Sequence, residues 1–325
     1  MAQQSIVYLN GRMVASGEAH LNIYDLGVVL GATVSEMART FRHRLFRLEG
    51  HLRRLARSLE YVGFDAGVSI ARLAEIAEEV VEHNGRLIGA EEELGLVVFI
   101  TAGESVMYAG ADATTRREPT VCVHTFPMPF HAWAAKMRDG ARVVTPSIRH
   151  VPPQCFPAAV KHRSRVNYYL AEREAQAVDP EAIPLLLDLQ GNVAETNTAN
   201  FLIVEDGTIV SPTLANILPG ISREMAAELA VELGIPFAER DFDAARVAMA
   251  EEALLVSTPY CIMPAVRING KPIGEGRPGV TFRRLIDAWS GRVGVDVYRQ
   301  VVENILVGDA HPTESQDCSG TSRGA

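Results

Sequence analysis

The chain has 325 residues, 47% hydrophobic and 22% charged, a globular composition long enough for two domains or for one large domain with a tail. Its formal net charge of −9 leaves no basic excess to neutralise phosphates, which argues against a nucleic-acid surface. Four cysteines, Cys122, Cys155, Cys261 and Cys318, lie far apart without paired spacing, so neither a zinc knuckle nor a disulfide framework is indicated and a reducing, cytoplasmic compartment is expected. No apolar run approaches membrane-spanning length, and the polar N-terminus lacks a leader pattern.

In chain order, 6–9 and 12–14 flank Asn10-Gly11 and predict a hairpin, because Asn-Gly suits the tight turn that joins two twisted strands. Asp25-Leu26-Gly27 and Gly31 mark a loop before an amphipathic stretch at 34–40, and a short strand is predicted over 44–48. Leu52, Leu55, Leu59 and Val62 recur at helical spacing and predict a helix over 50–61; a second starts at the N-cap Ser69 and runs through Val80. Strands over 95–101 and 120–126 complete a small α+β unit, the N-terminal domain expected over 1–126. Pro127, Pro129 and Trp133 mark an interdomain linker over 127–136.

A larger domain is expected over 137–307. It begins with a strand at 141–145, a loop containing Pro152, Pro153 and Pro157, a helix at 167–178 and a strand at 184–188. A hairpin around Asp206-Gly207, helices at 222–233 and 243–250, a strand at 253–257, a hairpin at Asn269-Gly270 and a helix at 282–289 follow. Strands and helices mix without the regular alternation of a doubly wound sheet, so the fold class is α+β. The end, 308–325, rich in Ser, Thr and Gly, is expected to be disordered.

Only three basic residues are lysines, Lys136, Lys161 and Lys271, and Lys161 lies in the densest polar segment, 160–169. Arginine neither loses its proton nor forms an imine, whereas a lysine of lowered pKa attacks aldehydes. Scarcity alone is equally what a coding bias produces, so position decides. A covalently bound pyridine aldehyde requires an amine, a carboxylate for its ring nitrogen and converging backbone donors for a phosphate. The second half offers these in order. Lys161 is the amine; Glu195 leads from a turn into an apolar hairpin, where a lone acid is poorly solvated; and Leu218-Pro219-Gly220-Ile221-Ser222-Arg223 opens a helix whose Ile221 and Ser222 amides face a common point. Ser257 and Thr258 end a buried strand. Taken singly, each is also an ordinary loop acid, turn or strand terminus.

Together these motifs resemble the class IV aminotransferases, the fold-type IV pyridoxal-phosphate enzymes, over about residues 6 to 290. The resemblance implies a two-domain fold, with a small N-terminal α/β domain and a larger domain of mixed β-sheet or barrel flanked by helices. It implies pyridoxal 5′-phosphate bound covalently at the catalytic Lys161, with Glu195 paired to the pyridine nitrogen and Leu218 packed on the ring. The amides of Ile221 and Ser222, the hydroxyl of Thr258, and Arg54 in His51-Leu52-Arg53-Arg54-Leu55 are implied to hold the phosphate. The implied activity is ping-pong transfer of an amino group from an apolar, branched-chain type amino acid to a 2-oxo acid, in a homodimer. D-Amino-acid and (R)-amine transaminases, aminodeoxychorismate lyase and a cofactor-binding protein without turnover are the alternatives the same pattern leaves open.

The chain departs from the family pattern on the substrate side. Ser35 stands where an aromatic usually precedes the acid of Ser35-Glu36-Met37-Ala38-Arg39, the Gly31 loop lacks a common aromatic, and Ala102 replaces an arginine before Gly103. Arg39, Arg165 and Arg163 are left as candidates to bind a substrate carboxylate, and arginines so close to Lys161 depress its pKa. Val28, Val29, Leu30 and Met37 are expected to line an aliphatic pocket.

Overall fold

A computed structural model describes residues 4–110 and 118–303, so the predicted tail at 308–325 lies outside the described residues. The first half contains β1 (Ile6–Leu9), β2 (Arg12–Ala15), α1 (Leu26–Val29), β3 (Thr33–Phe41), β4 (Arg44–Leu45), α2 (Leu48–Val62), α3 (Ile70–Gly85), β5 (Leu94–Thr101), α4 (Val106–Ala109) and β6 (Val121–Pro127). Its six strands form an antiparallel sheet in the order β2-β1-β6-β5-β3-β4. The hairpin turn forms because Asn10 and Gly11 both adopt positive φ, 48° and 88°. The spacing that predicted α2 and α3 turns Leu52, Leu55, Leu73 and Ile76 onto the sheet, against Leu94, Leu96, Val98 and Ile100 of β5. Each such fully buried aliphatic side chain contributes about 1.5–3 kcal/mol. The strand predicted over 44–48 is shorter, because Arg47 enters the left-handed region (φ 52°) and α2 begins at Leu48.

The second half contains α5 (His131–Asp139), β7 (Ala141–Val144), α6 (Val166–Val178), β8 (Ile183–Leu187), β9 (Val193–Thr196), β10 (Asn200–Glu205), β11 (Thr208–Ser211) and α7 (Ile221–Glu232). β12 (Phe237–Glu239), α8 (Ala244–Met249), β13 (Glu252–Ser257), β14 (Cys261–Ile268), β15 (Lys271–Pro272), α9 (Val280–Val293) and α10 (Val297–Glu303) follow. The strand path β10-β13-β14-β7-β8-β9 returns to β10 through the pairing of Asn200 with Glu195, closing six strands into a mixed barrel that β11 and β12 extend. Phe201, Leu254, Ile262, Leu229, Phe282 and Trp289 belong to its core. Much of the segment predicted as a linker is helical: α5 starts at His131, Met128, Phe130 and Met137 belong to this second core, and Ala134 is also buried.

Two features position the site. β3 is buried along almost its whole length, so its polar residues Ser35, Glu36, Arg39 and Thr40 lie inside the molecule. The backbone ahead of α6 runs along the edge of β3: Ser35 N donates to Lys161 O (2.9 Å), Arg163 N donates to Thr33 O (2.9 Å), and Lys161 N donates to Ser58 Oγ of α2 (3.2 Å). Among the described residues no helix is long and apolar enough to cross a membrane.

Candidate active site

Between β3, α2 and the barrel lies a cavity of about 190 Å³ whose walls include Met37, Arg54, Lys161, Glu195, Ser222 and Thr258. A smaller cavity toward His150, Phe156 and Tyr168 shares Lys161, Arg165, Glu195 and Leu218 with it, so the two form one cleft. Six residues proposed from sequence, Lys161, Glu195, Leu218, Ile221, Ser222 and Thr258, come together there from four segments of the second half, with Arg54 entering from the first.

Lys161 sits at the junction of the two cavities. Loss of solvent in the cleft brings its amine down to about 8; the nearby Arg54 and Arg165 act in the same direction and Glu36 and Glu195 oppose them. The neutral amine is therefore accessible near neutral pH. His162 beside it is also held low, to about 4, by burial and then by Arg165 and Lys161, so it stays neutral.

Glu195 is buried and fixed from both sides. Its Oε2 accepts from Asn200 Nδ2 and from the backbone N–H of Leu218, both at 3.0 Å, and its Oε1 accepts from the Tyr168 hydroxyl at 3.1 Å. Burial pushes the Tyr168 hydroxyl well above its ordinary pKa and Glu195 adds to the shift, so Tyr168 remains a donor. His150 Nε2 stands 3.2 Å from that hydroxyl and 3.5 Å from Glu195 Oε1. Closure of the barrel places the acid here, since Glu195 is the β9 residue that pairs with Asn200 of β10.

Arg54 and Glu36 form a buried pair at the opposite wall, with His51 Nδ1 2.9 Å from Glu36 Oε2. Burial alone would raise the Glu36 carboxyl, but the charge and hydrogen bonds of Arg54, with His51, hold it at about 2. Arg54 also donates to Pro219 O at 2.8 Å, which ties α2 to the loop entering α7. Among the described residues no side chain caps that helix, which leaves its first N–H groups open beside the cleft that Ile221 and Ser222 line. Gly220 lines the cleft at the helix start, where an added Cβ would collide with Asn200 Oδ1.

The substrate-side expectations fare differently. Arg165 lines both cavities, donates to Asn197 O and stacks over the Tyr168 ring. Arg39 is buried elsewhere, with its guanidinium bonded to Thr40 O, Pro259 O and Gln300 Oε1, so it anchors the turn after Thr258 and does not face the cleft. Arg163 lies over Phe99 and also lines neither cavity. Of the expected aliphatic pocket only Met37 reaches the cleft. α1 is capped by Asp25, itself bonded to Thr101 and Thr120, and it leaves Val28 and Leu30 exposed; Val29 lines neither cavity.

Sequence reading assigned no role to His51, His150 or Tyr168. His51 has the one usable signal, since a histidine three residues before Arg54 faces the same way on a helix. His150 and Tyr168 are brought to Glu195 only by the barrel.

A two-helix antiparallel sheet set against a closed mixed barrel, with a low-pKa lysine at their junction, is the fold-type IV architecture. The class IV amino-transferase family model matches residues 33–268. The D-alanine aminotransferase of Staphylococcus aureus (strain N315) is 27% identical over 284 residues, covering 86% of this chain and 94% of that protein. The branched-chain amino acid aminotransferase of Escherichia coli superposes with a TM-score of 0.81 at 25% identity, covering 89% and 94% of the two chains. The T.th. branched-chain amino acid aminotransferase, complexed with N-(5′-phosphopyridoxyl)-L-glutamate, gives 0.76 at 25% identity, covering 90% and 96%. The chain belongs to the class IV aminotransferases.

Proposed function

We propose that this aminotransferase uses pyridoxal 5′-phosphate, bound covalently at Lys161, to move the amino group of an apolar amino acid, of branched-chain type, to a 2-oxo acid by a ping-pong cycle. The donor set fits that cofactor: a half-buried amine, a fixed carboxylate on one side, and on the other an uncapped helix start with the hydroxyls of Ser222 and Thr258 at the same wall. Ile221 and Ser222 amides, Thr258 and Arg54 would hold the phosphate, Leu218 the ring face and Glu195 the pyridine nitrogen. When bound, the cofactor supplies an electron sink for negative charge at the substrate α-carbon. Lys161 Nζ, once displaced from the cofactor by the incoming substrate amine, would take the proton from that carbon and return one later in the cycle, its amine being neutral in a useful fraction near pH 8. Glu195, held by Asn200, Leu218 and Tyr168, keeps its charge aimed at one point. Met37 and the small walls around Ala199 favour an aliphatic side chain.

The observation that carries this reading is the lowered Lys161 amine opening on the same cleft as the fixed Glu195. Half-reactions of cofactor-loaded protein with a panel of L- and D-amino acids, followed by visible absorbance, test it. Reaction with branched-chain L-amino acids supports it, and no response to any amine refutes it. The similarity to D-alanine aminotransferase makes the D-arm of the panel the competing outcome. We also propose a homodimer, supported by the exposed apolar side chains Ile23, Val28, Leu30 and Met107, to be checked by sedimentation.

A further inference from the structure

We propose that Arg165 is the counter-charge for the substrate α-carboxylate, which makes 2-amino and 2-oxo acids, rather than simple amines, the substrate class; this rests on the aminotransferase reading above. Apart from Arg39, the other buried or half-buried arginines in the described structure have a carboxylate partner. Arg54 has Glu36, Arg47 has Glu228, and Arg223 has Glu239. Arg39 has no ion pair among the described residues, but four neutral acceptors, Thr40 O, Pro259 O, Cys261 Sγ and Gln300 Oε1, take its donors away from the cleft. Arg165 alone faces the cleft with no carboxylate partner among the described residues.

Its donors are also largely free among the described residues. A guanidinium carries five N–H groups, and the Arg165 bond to Asn197 O uses one. That bond and the stacking over Tyr168, 4.7 Å from ring centroid to Cζ, fix the plane of the fork. A planar donor fork already held in place is suited to a bidentate carboxylate. The acid in the same cleft does not fill this role, because Glu195 is engaged by Tyr168, Asn200 and the Leu218 amide. Nor do the other cleft cations: Lys161 is committed to the amine chemistry, and Arg54 is neutralised by Glu36. A half-buried positive charge without a counter-ion is costly, and a bound carboxylate relieves that cost. Arg165 thus takes the part that Ala102 cannot.

The test uses cofactor-loaded enzyme and two probes of one shape, 4-methylvalerate and 4-methylvaleramide, titrated against the visible spectrum. Wild type should prefer the acid over the amide, and Arg165→Gln should weaken acid binding about 10- to 100-fold while moving the amide by less than about 2-fold. Arg165→Lys should recover part of the loss. In the unmodified sequence, phenylglyoxal labelling at Arg165, mapped by peptide mass, should slow with the acid and not with the amide, which keeps the test valid if a variant folds poorly. Equal loss of acid and amide binding, or an unchanged acid affinity and no protection, overturns the assignment. Wild-type enzyme that takes up no cofactor and reacts with no amino acid overturns the aminotransferase reading itself, a distinct result.

Discussion

Arg54 meets Glu36 side-on, Nε to Oε1 at 2.7 Å and Nη2 to Oε2 at 2.8 Å, with both side chains buried between β3 and α2. The third arm of the same guanidinium reaches Pro219 O, so one ion pair connects the sheet, a helix and the loop that opens α7. Breaking a buried pair leaves an uncompensated charge and costs about 3–5 kcal/mol. Glu36→Gln is therefore expected to lower unfolding free energy by about that amount in urea titrations, and to weaken cofactor retention through Arg54 and Pro219. The carboxyl, at about 2 in the folded state against an ordinary 4.5, contributes stability that is present above pH 4.5 and lost as pH falls toward 2. The acid limb of stability against pH should be shallower in Glu36→Gln.

Lys161 is expected to be the residue that captures the cofactor aldehyde. Because its amine is at about 8, the neutral fraction grows as pH rises through that value, well below the ordinary 10.5. Borohydride trapping of apo-protein with pyridoxal phosphate should yield a tag at position 161 whose initial rate has a midpoint near pH 8. Arg165→Gln should move that midpoint up, since a neighbouring positive charge is removed. A tag distributed over Lys136 and Lys271 would contradict the assignment.

Glu195→Gln keeps the shape of the site and removes its negative charge. Losing one fixed electrostatic partner of a developing charge typically costs about 10²- to 10³-fold in rate, and single-turnover half-reactions should fall in that range. Tyr168→Phe should cost less, because Asn200 and the Leu218 amide still hold the other carboxylate oxygen.

Gly220→Ala tests the helix start. The backbone at Gly220 suits any residue (φ −73°), so the expected damage comes from the Cβ meeting Asn200 Oδ1. Displacing Asn200 disturbs its bonds to both Glu195 and Leu218 O. Stability should drop by about 1–3 kcal/mol, as for other overpacked positions, and equilibrium dialysis should show weaker cofactor binding.

Much of this was legible in the sequence where the signal is local. Leu52, Leu55 and Leu59 announce α2 through their spacing, Asn10-Gly11 announces the first hairpin, and Lys161, Glu195, Leu218, Ile221 and Ser222, singled out in the sequence, line one cleft in the structure. What was hidden depends on closure and burial. β9 reads as a turn because Glu195 and Thr196 are polar, yet the barrel buries both. Arg39 reads as a ligand-facing cation because its sequence neighbourhood does not reveal Pro259 and Gln300, brought to it from 220 and 261 residues away. α10 was missed because only Val297 and Val301 mark its buried side.

The short run of backbone carrying Lys161 is stitched to Thr33, Ser35 and Ser58 as well as leading into α6. Lys161 thus sits at the seam between the halves, carried by one and hydrogen-bonded to the other. Swinging the halves apart would break the bonds that hold the backbone of Lys161 to Thr33, Ser35 and Ser58, so the proposed chemistry calls for substrate entry by smaller rearrangements at the mouth. If Lys161 carries the proposed chemistry, undocking the two halves and losing turnover should coincide, so that a simple turnover assay doubles as a gauge of whether the whole molecule is assembled.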